Sequence, residues 1–423
     1  MDCHSYLNSF NNFESHLNKV KPQQFNLDRI IQLLDALDNP QLGLRIIHVA
    51  GTKGKGSTCA MISSILQEAD YKVGLFTSPH LFCVNERIRI LTKNNDEEFS
   101  GSISDQHLEA LINQTRTVID TLVSKGIALT YFEVLTALAL VYFAANKVDI
   151  VVLETGLGGR FDATNAVDSH IAVITPISFD HQHLLGKTLA AIAGEKAAII
   201  KDKYQQVIIA PQEQEAGAVI DKHCEDVGVI PRHIDGNKAL KYQLRLKGKH
   251  QVINASVAIG VIDALREQGI AISEQAVSDG FKKVYWPGRF EIISQQPTII
   301  IDGAHNAASA RALCQTLNEE YPDHKKIMVV AISNDKDIKG IVDVLKNNAA
   351  HLIFSKANHP RSFIFNEENV IPLAGQKTFS IIDDLAKAIG YAVQLADTNK
   401  VVVITGSIFT IAQARKLCTN TNH

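Results

Sequence analysis

The sequence predicts an α/β protein with a doubly wound, mostly parallel sheet that carries a phosphate loop, followed by a second, smaller α/β domain. Three observations lead to this fold class. Short β-branched runs alternate with helical patterns, a loop rich in glycine and lysine joins the first run to a helix, and the alternation stops once before it restarts. Such alternation is typical of parallel sheets whose strands are joined by helices.

Size and composition narrow the class of protein. A chain of 423 residues is too long for one compact core, so two or three domains are expected. With 46% hydrophobic and 21% charged residues, the chain should be soluble and well packed, and no apolar run predicts a membrane span. The formal net charge of −3, without long basic blocks, gives no electrostatic case for nucleic acid as a partner.

The cysteines and the start of the chain indicate a cellular compartment. The six cysteines are scattered without a C-x-x-C pair, which argues against a zinc site or a disulfide framework. The first residues lack the basic and apolar regions of a secretory signal. We therefore expect a cytoplasmic protein.

The first half of the chain begins with helical segments and continues with the alternating pattern. Apolar positions in Leu27–Asn39 repeat at helical spacing, and the rest of residues 1–45 reads as helix with polar turns. The following strands are predicted at LRIIHVA, YKVGLFTS, DIVVLET, HIAVITPIS and QQVIIAP. Helical patterns between them include FEVLTALALVYFAANK and TLAAIAGEKAAIIK.

The second half restarts the pattern after an interruption. Residues 212–248 lose the alternation, and we interpret them as a peripheral elaboration. NASVAIGVIDALREQG predicts a helix, and Tyr285–Ile293 predicts a linker because Pro287 and Gly288 interrupt both periods. Alternation returns with PTIIID and continues to KVVVIT, so a smaller domain is expected over roughly residues 297–423.

Polar residues follow the predicted strands of the first domain. They are the glycine loop after LRIIHVA, then Thr77, Ser78 and His80, then Glu154, and finally Asp180, His181 and His183. Ligands of open α/β sheets bind beyond the carboxyl ends of the strands. If the strands lie side by side, these groups share one edge of the sheet and form a site there.

The glycine loop, HVAGTKGKGS, does not match the Walker pattern. Val49 takes the place of the first glycine, Lys53 is an additional lysine, and no hydroxyl directly follows the second lysine. The glycines still allow the backbone to point successive amides at an anion, and a helix that starts near Ser57 adds its positive end. A flexible strand-to-helix turn is the alternative, which two lysines at the start of a helix make less favourable.

Other polar residues have structural interpretations beside functional ones. Glu154 ends an apolar strand, where a carboxylate is costly, so it either pairs with Arg160 or a lysine or binds magnesium as a Walker-B acid does. His181 fits a capping or core histidine as well as a ligand. Lys196 lies in a segment of helical period and, taken alone, reads as a solvated lysine.

The second domain has a polar motif in the same topological position. DGAHN, residues 302–306, follows the apolar run TIII and precedes a helix, so it either binds a ligand or caps that helix. Asp335 and Asp337 follow the next run, and Ser407 follows the last one.

The motifs occur together in a fixed order between about residues 22 and 415. They are HVAGTKGKGS, TSPHLFCVNERIRI, LTYFE, LETGLGGRFDATN, SFDHQHLLGKTLAAIAGEKAAII, PGRFE, DGAHN and NDKD. This set resembles the folylpolyglutamate synthase and dihydrofolate synthase family, within the Mur-ligase-like superfamily of ATP-dependent amide ligases. The resemblance implies a Mur-ligase-like P-loop domain over residues 1–288 and a Rossmann-like glutamate-ligase domain over residues 289–423.

The resemblance implies an ATP site. The matching positions are Thr52, Lys53, Gly54, Lys55, Gly56 and Ser57 in the loop, and Asn254, Arg289, Asp302 and His305 beyond it. Lys55 matches the phosphate lysine, with the hydroxyl two residues later. Lys53 stands where the family has Asn, and we expect it to be an auxiliary charge.

The resemblance also implies metal and folate sites. Ser78, Glu154 and His181 match magnesium ligands, and Lys196 matches a lysine that is carbamylated in the family and helps to place a second metal. A carbamate is an anionic oxygen ligand, which explains a lysine among metal ligands. The positions that match the lining of the pterin site are Thr130, Tyr131, Phe132, Glu133, Phe161, Asp162 and Ala163.

A few positions depart from the family. Ala198 and Ala307 replace a frequent Gly and Pro, and QQFNLDRI lacks the form common in relatives, which puts the contribution of that segment to pterin binding in doubt. None of these changes removes Lys55, His181 or Lys196, the expected catalytic groups.

The implied reaction is addition of L-glutamate to 7,8-dihydropteroate and to tetrahydrofolates, through an acyl phosphate made with ATP. A monofunctional folylpolyglutamate synthase is one alternative. A UDP-muramyl ligase is another, although about fifty residues before Gly51 are few for a UDP-binding domain. An ATP-binding switch would leave Glu154, His181 and Lys196 without a joint purpose. We expect a monomer that holds ATP between its domains and closes about the PGRFE linker.

Overall fold

The computed structural model describes residues 2–15, 20–93 and 99–419. The chain forms two compact units, one of Met1–Arg245 with Gln251–Tyr285, and one of Leu246–His250 with Trp286–His423. The short segment Leu246–His250 belongs to the second unit although the chain on both sides of it belongs to the first. The sequence pattern does not indicate that this segment belongs to the second unit.

The first unit contains helices and strands in alternation. Its helices are α1 (Cys3–Asn8), α2 (Asp28–Ala36), α3 (Lys55–Glu68), α4 (Asp105–Ser124), α5 (Tyr131–Ala145), α6 (Gln182–Leu185), α7 (Leu189–Ala197), α8 (Gln214–Val227), α9 (Lys249–Glu267, of which the first two residues lie in the second unit) and α10 (Glu274–Lys283). Its strands are β1 (Ile46–Ala50), β2 (Val73–Phe76), β3 (Ile88–Leu91), β4 (Ile150–Glu154), β5 (Ile171–Ile174), β6 (Gln206–Ile209) and β7 (Arg232–His233).

The strands of the first unit form a seven-stranded sheet in the order β3-β2-β4-β1-β5-β6-β7. All neighbours are parallel except β2 and β3. The central strands β1, β4 and β5 are buried along their whole length, as expected of strands covered by helices. The register pairs Val49 of β1 with Glu154 of β4, so the phosphate loop and the glutamate leave the sheet at the same edge.

Buried apolar clusters hold the helices of the first unit to this sheet. One cluster joins side chains of α2, α4 and α5 to Phe76, Val151 and Leu153, and another joins α7 and α8 to strands β5 and β6. Local signals fix several helix starts. Ser104 accepts a hydrogen bond from the amide of His107, and this cap satisfies one of the free donors at the start of α4.

The second unit is a smaller α/β domain. Its strands are β8 (Glu291–Gln295), β9 (Thr298–Asp302), β10 (Lys325–Val330), β11 (His351–Lys356), β12 (Phe379–Asp384) and β13 (Lys400–Thr405). Its helices are α11 (Ala307–Glu320), α12 (Ile338–Asn348), α13 (Glu367–Ala374), α14 (Leu385–Leu395) and α15 (Ile408–Thr419). The sheet order is β12-β11-β10-β13-β9-β8, and only β8 is antiparallel to its neighbour.

The fold class predicted from the sequence is confirmed, and the predicted central strands all form. Two details of the prediction are wrong. Residues 212–248 are not only an elaboration, because β7 extends the sheet beside β6. The supposed linker Tyr285–Ile293 contains the start of β8, an edge strand whose partial burial weakens its sequence signal. In the N-terminal segment, residues 16–19 lie outside the described part of the chain.

No helix in residues 2–15, 20–93 and 99–419 has the length and apolar character of a membrane span. All six cysteines are free thiols, and Cys83 is exposed while Cys59 is buried.

Candidate active site

The phosphate loop connects β1 to α3 at the carboxyl edge of the first sheet. Gly54 has φ 83° and directly precedes α3, which begins at Lys55, two residues before Ser57, near which the helix was predicted to start. The amides of Thr52 and Lys53 donate to the carbonyl oxygen of Pro176, at 3.2 and 3.0 Å. These two amides therefore already have hydrogen-bond acceptors within the protein. The donors left to meet an anion are the first amides of α3, which have no acceptor within their own helix.

Two glycines of the loop are needed for close packing. A Cβ atom at Gly54 would collide with Oδ1 of Asn254, and a Cβ atom at Gly51 would collide with the side chain of Thr175. Asn254 lies on α9 and donates to Oε1 of Gln251 at 2.9 Å, while Gln251 approaches Oγ of Ser57 at 3.4 Å. Asn254, which the resemblance assigned to the nucleotide, is thus beside the loop.

Ser78 and Glu154 meet at the same edge of the sheet. The amide of Ser78 donates to Oε2 of Glu154 at 3.1 Å, and the Glu154 residue is 4% exposed. Arg160, which the sequence left open as a partner of Glu154, instead pairs with Glu195 at 3.0 Å. Two of the predicted metal ligands are therefore neighbours, one carboxylate and one hydroxyl residue.

His181 has a left-handed backbone conformation after β5. Its φ of 48° is uncommon for a residue other than glycine. Its amide donates to Oδ1 of Asp180 at 3.0 Å, and its Nε2 lies 3.7 Å from the same oxygen. The other oxygen of Asp180, Oδ2, lies 3.8 Å from Nζ of Lys53. His181 directly precedes α6 without a side-chain cap, so helix capping does not explain it.

Lys196 is buried, contrary to what its segment suggested when taken alone. It lies near the end of α7, is 4% exposed, and its Nζ is 3.5 Å from the carbonyl oxygen of Gly158. Burial, together with the charge of Lys55, lowers the pKa of Lys196 to about 7, and nearby carboxylates such as Asp180 oppose the change. The shift indicates that Lys196 lies in the same electrostatic environment as Lys55 and Asp180.

The turn that carries Gly158 is held by a buried chain of polar side chains. Asp162 accepts from the amide of Leu157 at 2.7 Å and from Oγ1 of Thr164 at 2.5 Å. Oγ1 of Thr164 lies 2.8 Å from Nε2 of His48 on β1. Because the hydroxyl has one proton, which Asp162 receives, His48 must donate from Nε2. Burial lowers the pKa of His48 to about 3, so the ring is neutral.

Sequence analysis missed His48 and Thr164. The available signal was a histidine inside the apolar strand IIHVA, where an unpaired ring would be costly. The pattern could not name its partner, because Thr164 is 116 residues away in sequence. Both carboxylate oxygens of Asp162 also accept hydrogen bonds from within the protein.

The segment at the start of α5 combines a helix cap with an ion pair. Thr130 and Glu133 form a capping box, and Glu133 also accepts from Arg29, with a shortest distance of 2.8 Å. Arg29 lies on α2, within QQFNLDRI, the segment that departs from the family form. The ring of Phe132 lies against Gly156, where a Cβ atom would approach it to 2.7 Å.

The other predicted folate positions differ in exposure. Phe161 is 46% exposed, whereas Tyr131 and Ala163 are buried. The Arg87 guanidinium lies 5.7 Å from the centre of the Tyr131 ring. Arg87 is itself buried, and it donates to both oxygens of Glu14, at 2.8 and 2.6 Å. The sequence did not single out Arg87 or Glu14.

The predicted nucleotide residues of the second unit lie where β8 begins and its antiparallel neighbour β9 ends. Asp302 accepts from the amides of Phe290 at 2.8 Å and Ala304 at 2.9 Å, and burial raises the pKa of its carboxyl group. Nη1 of Arg289 donates to the carbonyl oxygen of Gly288, and Nδ1 of His305 lies 2.8 Å from the carbonyl oxygen of Gly303.

The helix-capping alternative for DGAHN applies to one of its residues. Asn306 accepts from the amide of Ser309 and caps α11. Asp302 and His305 make other contacts and do not cap the helix. Capping therefore leaves Asp302 and His305 open to a role in binding.

The donor set at the edge of the first sheet suits a hard cation that also binds phosphate. Mg²⁺ commonly takes one or two protein oxygens and completes its shell with phosphate oxygens and water. Ser78 and Glu154 supply such oxygens. Among the described residues there is no group of three or more His, Cys, Asp or Glu side chains that would hold a metal alone. A site that depends on the nucleotide fits both observations.

Comparison with known proteins connects this geometry to a family. The Mur ligase middle domain matches residues 49–262, and the Mur ligase glutamate ligase domain matches residues 288–408. The dihydrofolate synthase/folylpolyglutamate synthase of Bacillus subtilis is 35% identical, over 94% of this chain and 95% of its own length. The chain belongs to this synthase family of Mur ligases.

Other members of the synthase family agree in sequence and in structure. The Escherichia coli dihydrofolate synthase/folylpolyglutamate synthase is 32% identical, over 88% of this chain and 86% of its own length. A Mycobacterium tuberculosis folylpolyglutamate synthase complexed with ADP superposes with a TM-score of 0.85 at 32% identity, covering 98% of this chain and 97% of the other. E. coli FolC in complex with DHPP and ADP also gives 0.85, at 28% identity, covering 100% and 99%.

Proposed function

We propose that this protein is an ATP-dependent ligase that adds L-glutamate to 7,8-dihydropteroate and to tetrahydrofolates. The observation that carries the proposal is the shared carboxyl edge of the first sheet, where the phosphate loop, Ser78 and Glu154 meet. The environment of Lys196 there, buried and within reach of the Lys55 charge, supports it. Relatives named for both activities support the choice of substrates.

The reaction needs an activated carboxylate, because an amine does not displace oxide at neutral pH. The γ-phosphate of ATP would be transferred to the pteroate or folate carboxylate, and the glutamate amine would then displace phosphate from the acyl phosphate. Phosphoryl transfer depends more on positioning of the reactants and neutralisation of their charge than on covalent catalysis by the protein. Lys55 and the first amides of α3 would supply both, by holding the β- and γ-phosphates.

Ser78 and Glu154 would hold one Mg²⁺ beside the phosphates, and His181 with Lys196 would hold a second. Bound Mg²⁺ would supply charge neutralisation for the phosphoryl oxygens. Lys196 can serve only after conversion of its amine to a carbamate, which is an anionic oxygen ligand. A pKa of about 7 supports that step, since a neutral amine is the form that reacts with carbon dioxide.

The folate would lie near the start of α5 and the turn after β4. Phe132 and the exposed ring of Phe161 offer flat apolar surfaces to a pterin. Thr130, Tyr131, Glu133 and Ala163 would shape the remaining lining. Asp162 would act through the turn that it holds, because both its oxygens already accept hydrogen bonds.

Arg289, Asp302 and His305 would be nucleotide-binding residues, as their match to the family's positions implies. The buried hydrogen bonds of Asp302 support a role in fixing the turn, with Arg289 and His305 as the groups that reach the ligand.

The test is ADP release by one preparation of the protein with L-glutamate and each of two acceptors, dihydropteroate and tetrahydrofolate. Stimulation by both is expected. Stimulation by tetrahydrofolate alone would reduce the protein to a monofunctional folylpolyglutamate synthase. Release only with a UDP-muramyl acceptor and an amino acid, or with no acceptor at all, would favour the muramyl ligase or the ATP-binding switch.

We also propose that the enzyme works as a monomer in the cytoplasm. Its free cysteines suit a reducing compartment. Light scattering at assay concentrations should give the mass of a single chain, and a larger mass would contradict the monomer.

A further inference from the structure

Lys53 faces the segment that follows β5. Its amide donates to the carbonyl oxygen of Pro176, and its Nζ lies 3.8 Å from Oδ2 of Asp180. Both ends of the residue therefore contact the segment that follows β5. Lys55, by contrast, is the first residue of α3, at the positive end of the helix.

Asp180 links Lys53 to the predicted metal ligands. Its Oδ1 accepts the amide hydrogen of His181 at 3.0 Å and lies 3.7 Å from Nε2 of the same residue. Its charge also acts on Lys196, where it favours the protonated amine. The carboxylate thus adds negative potential at the place assigned to the cations, and Lys53 is a positive charge beside it.

We propose that Lys53 is a positioning residue that balances the charge of Asp180 and thereby lowers the affinity of this site for divalent cations. It does so without contacting the nucleotide. The proposal rests on the proposed function, which assigns the cations to Ser78, Glu154, His181 and Lys196. It explains a lysine at a position where the family has an uncharged asparagine.

The size of the effect follows from the partial exposure of the pair. The side chains of Lys53 and Asp180 are 27% and 18% exposed, so water screens their charges incompletely. Removal of one positive charge a few ångströms from a divalent cation, at an effective dielectric constant between those of water and protein, should tighten cation binding by roughly threefold to tenfold.

The experiment measures Mn²⁺ binding to the full chain with ADP held equimolar to the protein, because the site depends on the nucleotide, by electron paramagnetic resonance of the free ion. We expect Lys53→Asn to tighten Mn²⁺ binding by roughly threefold to tenfold, and Lys53→Arg, which keeps the charge, to match the wild type. Lys222→Asn is the matched control. It removes a lysine that pairs with Glu225 and Asp226 on an exposed helix face, and it should change nothing.

A double-mutant cycle tests the path through Asp180. In an Asp180→Asn background, the additional change Lys53→Asn should alter Mn²⁺ affinity by less than about twofold, because the charge that Lys53 balances is gone. A full effect in that background would overturn the proposal. So would unchanged Mn²⁺ affinity of Lys53→Asn together with weaker metal-free ADP binding, which would make Lys53 a phosphate ligand.

Glu154→Gln separates a failure of this inference from a failure of the proposed function. If Glu154→Gln weakens Mn²⁺ binding and Lys53→Asn does not change it, only the role of Lys53 is contradicted. If Mn²⁺ binding does not respond to Glu154→Gln, the cation lies elsewhere, and both proposals are overturned.

Discussion

The Nζ atom of Lys196 lies 3.5 Å from the carbonyl oxygen of Gly158, inside a region closed to solvent. Gly159 follows in the same turn, and a Cβ atom there would approach the carbonyl oxygen of Glu195 to 2.6 Å. The turn after β4 therefore packs directly on the end of α7. This contact removes Lys196 from water.

The first prediction is that Lys196 becomes carbamylated. Its pKa is lowered to about 7 from an ordinary 10.5, so the reactive neutral amine predominates above pH 7 and is lost as the pH falls through 7. Protein incubated with ¹³C-bicarbonate at pH 8 should show a carbamate carbon by NMR that weakens below pH 7 and is missing in Lys196→Ala.

The same variant connects the modification to catalysis. Lys196→Ala should lose ligase activity by at least about 100-fold while it still binds ATP, because the phosphate loop is intact. Near-normal turnover by this variant would exclude the carbamate role.

The second prediction concerns the register of the phosphate loop. Lys55→Ala should lower ADP formation by at least about 100-fold, since Lys55 is the lysine at the start of α3. Lys222→Ala, on an exposed helix face, is the control for removal of a lysine. Steady-state kinetics with thermal unfolding as a check on folding would measure the effect. If Lys53→Ala were inactive and Lys55→Ala active, the loop would have been assigned in the wrong register.

The third prediction isolates the contact between Gly54 and Asn254. Gly54→Ala should destabilise the protein by about 2–4 kcal/mol and weaken ATP binding, because it adds a steric collision with Asn254 to the cost of a left-handed residue. Gly269→Ala is a matched control, since Gly269 has φ +84° and nothing within 4 Å of an added Cβ atom. Urea denaturation of both variants gives the difference. Equal losses would show that the contact with Asn254 contributes nothing.

The fourth prediction tests the buried chain from His48 to Asp162. Thr164→Val keeps the shape of the side chain but removes the hydroxyl that joins the two residues. It should lower the free energy of unfolding by about 1–3 kcal/mol, because buried polar atoms lose their partner. Thr121→Val, whose hydroxyl bonds only to the exposed carbonyl oxygen of Thr117, should cost less than about 0.5 kcal/mol. Similar losses of unfolding free energy in the two variants would contradict a stabilising role for the hydrogen bonds that join His48, Thr164 and Asp162.

Much of the fold followed from periodic patterns in the sequence. Strands such as β1 and β4 are buried along their length, and such strands leave continuous apolar runs. The strands that the patterns missed, β3, β7, β8 and β12, are the edge strands of the two sheets. Partly exposed residues weaken the apolar signal of β7, β8 and β12, whereas β3 is short and contains Arg89 within its apolar run.

The sequence by itself determined the alternation of strands and helices, the glycine-rich loop between β1 and α3, and the order of the motifs, since these are local properties of the chain. Only the tertiary structure decided which loop amides are free and which donate to Pro176, and that Lys53 faces Asp180. It also decided that Lys196 is buried. These outcomes depend on segments far apart in sequence that the sheet topology brings together, and local periodicity contains no information about such contacts.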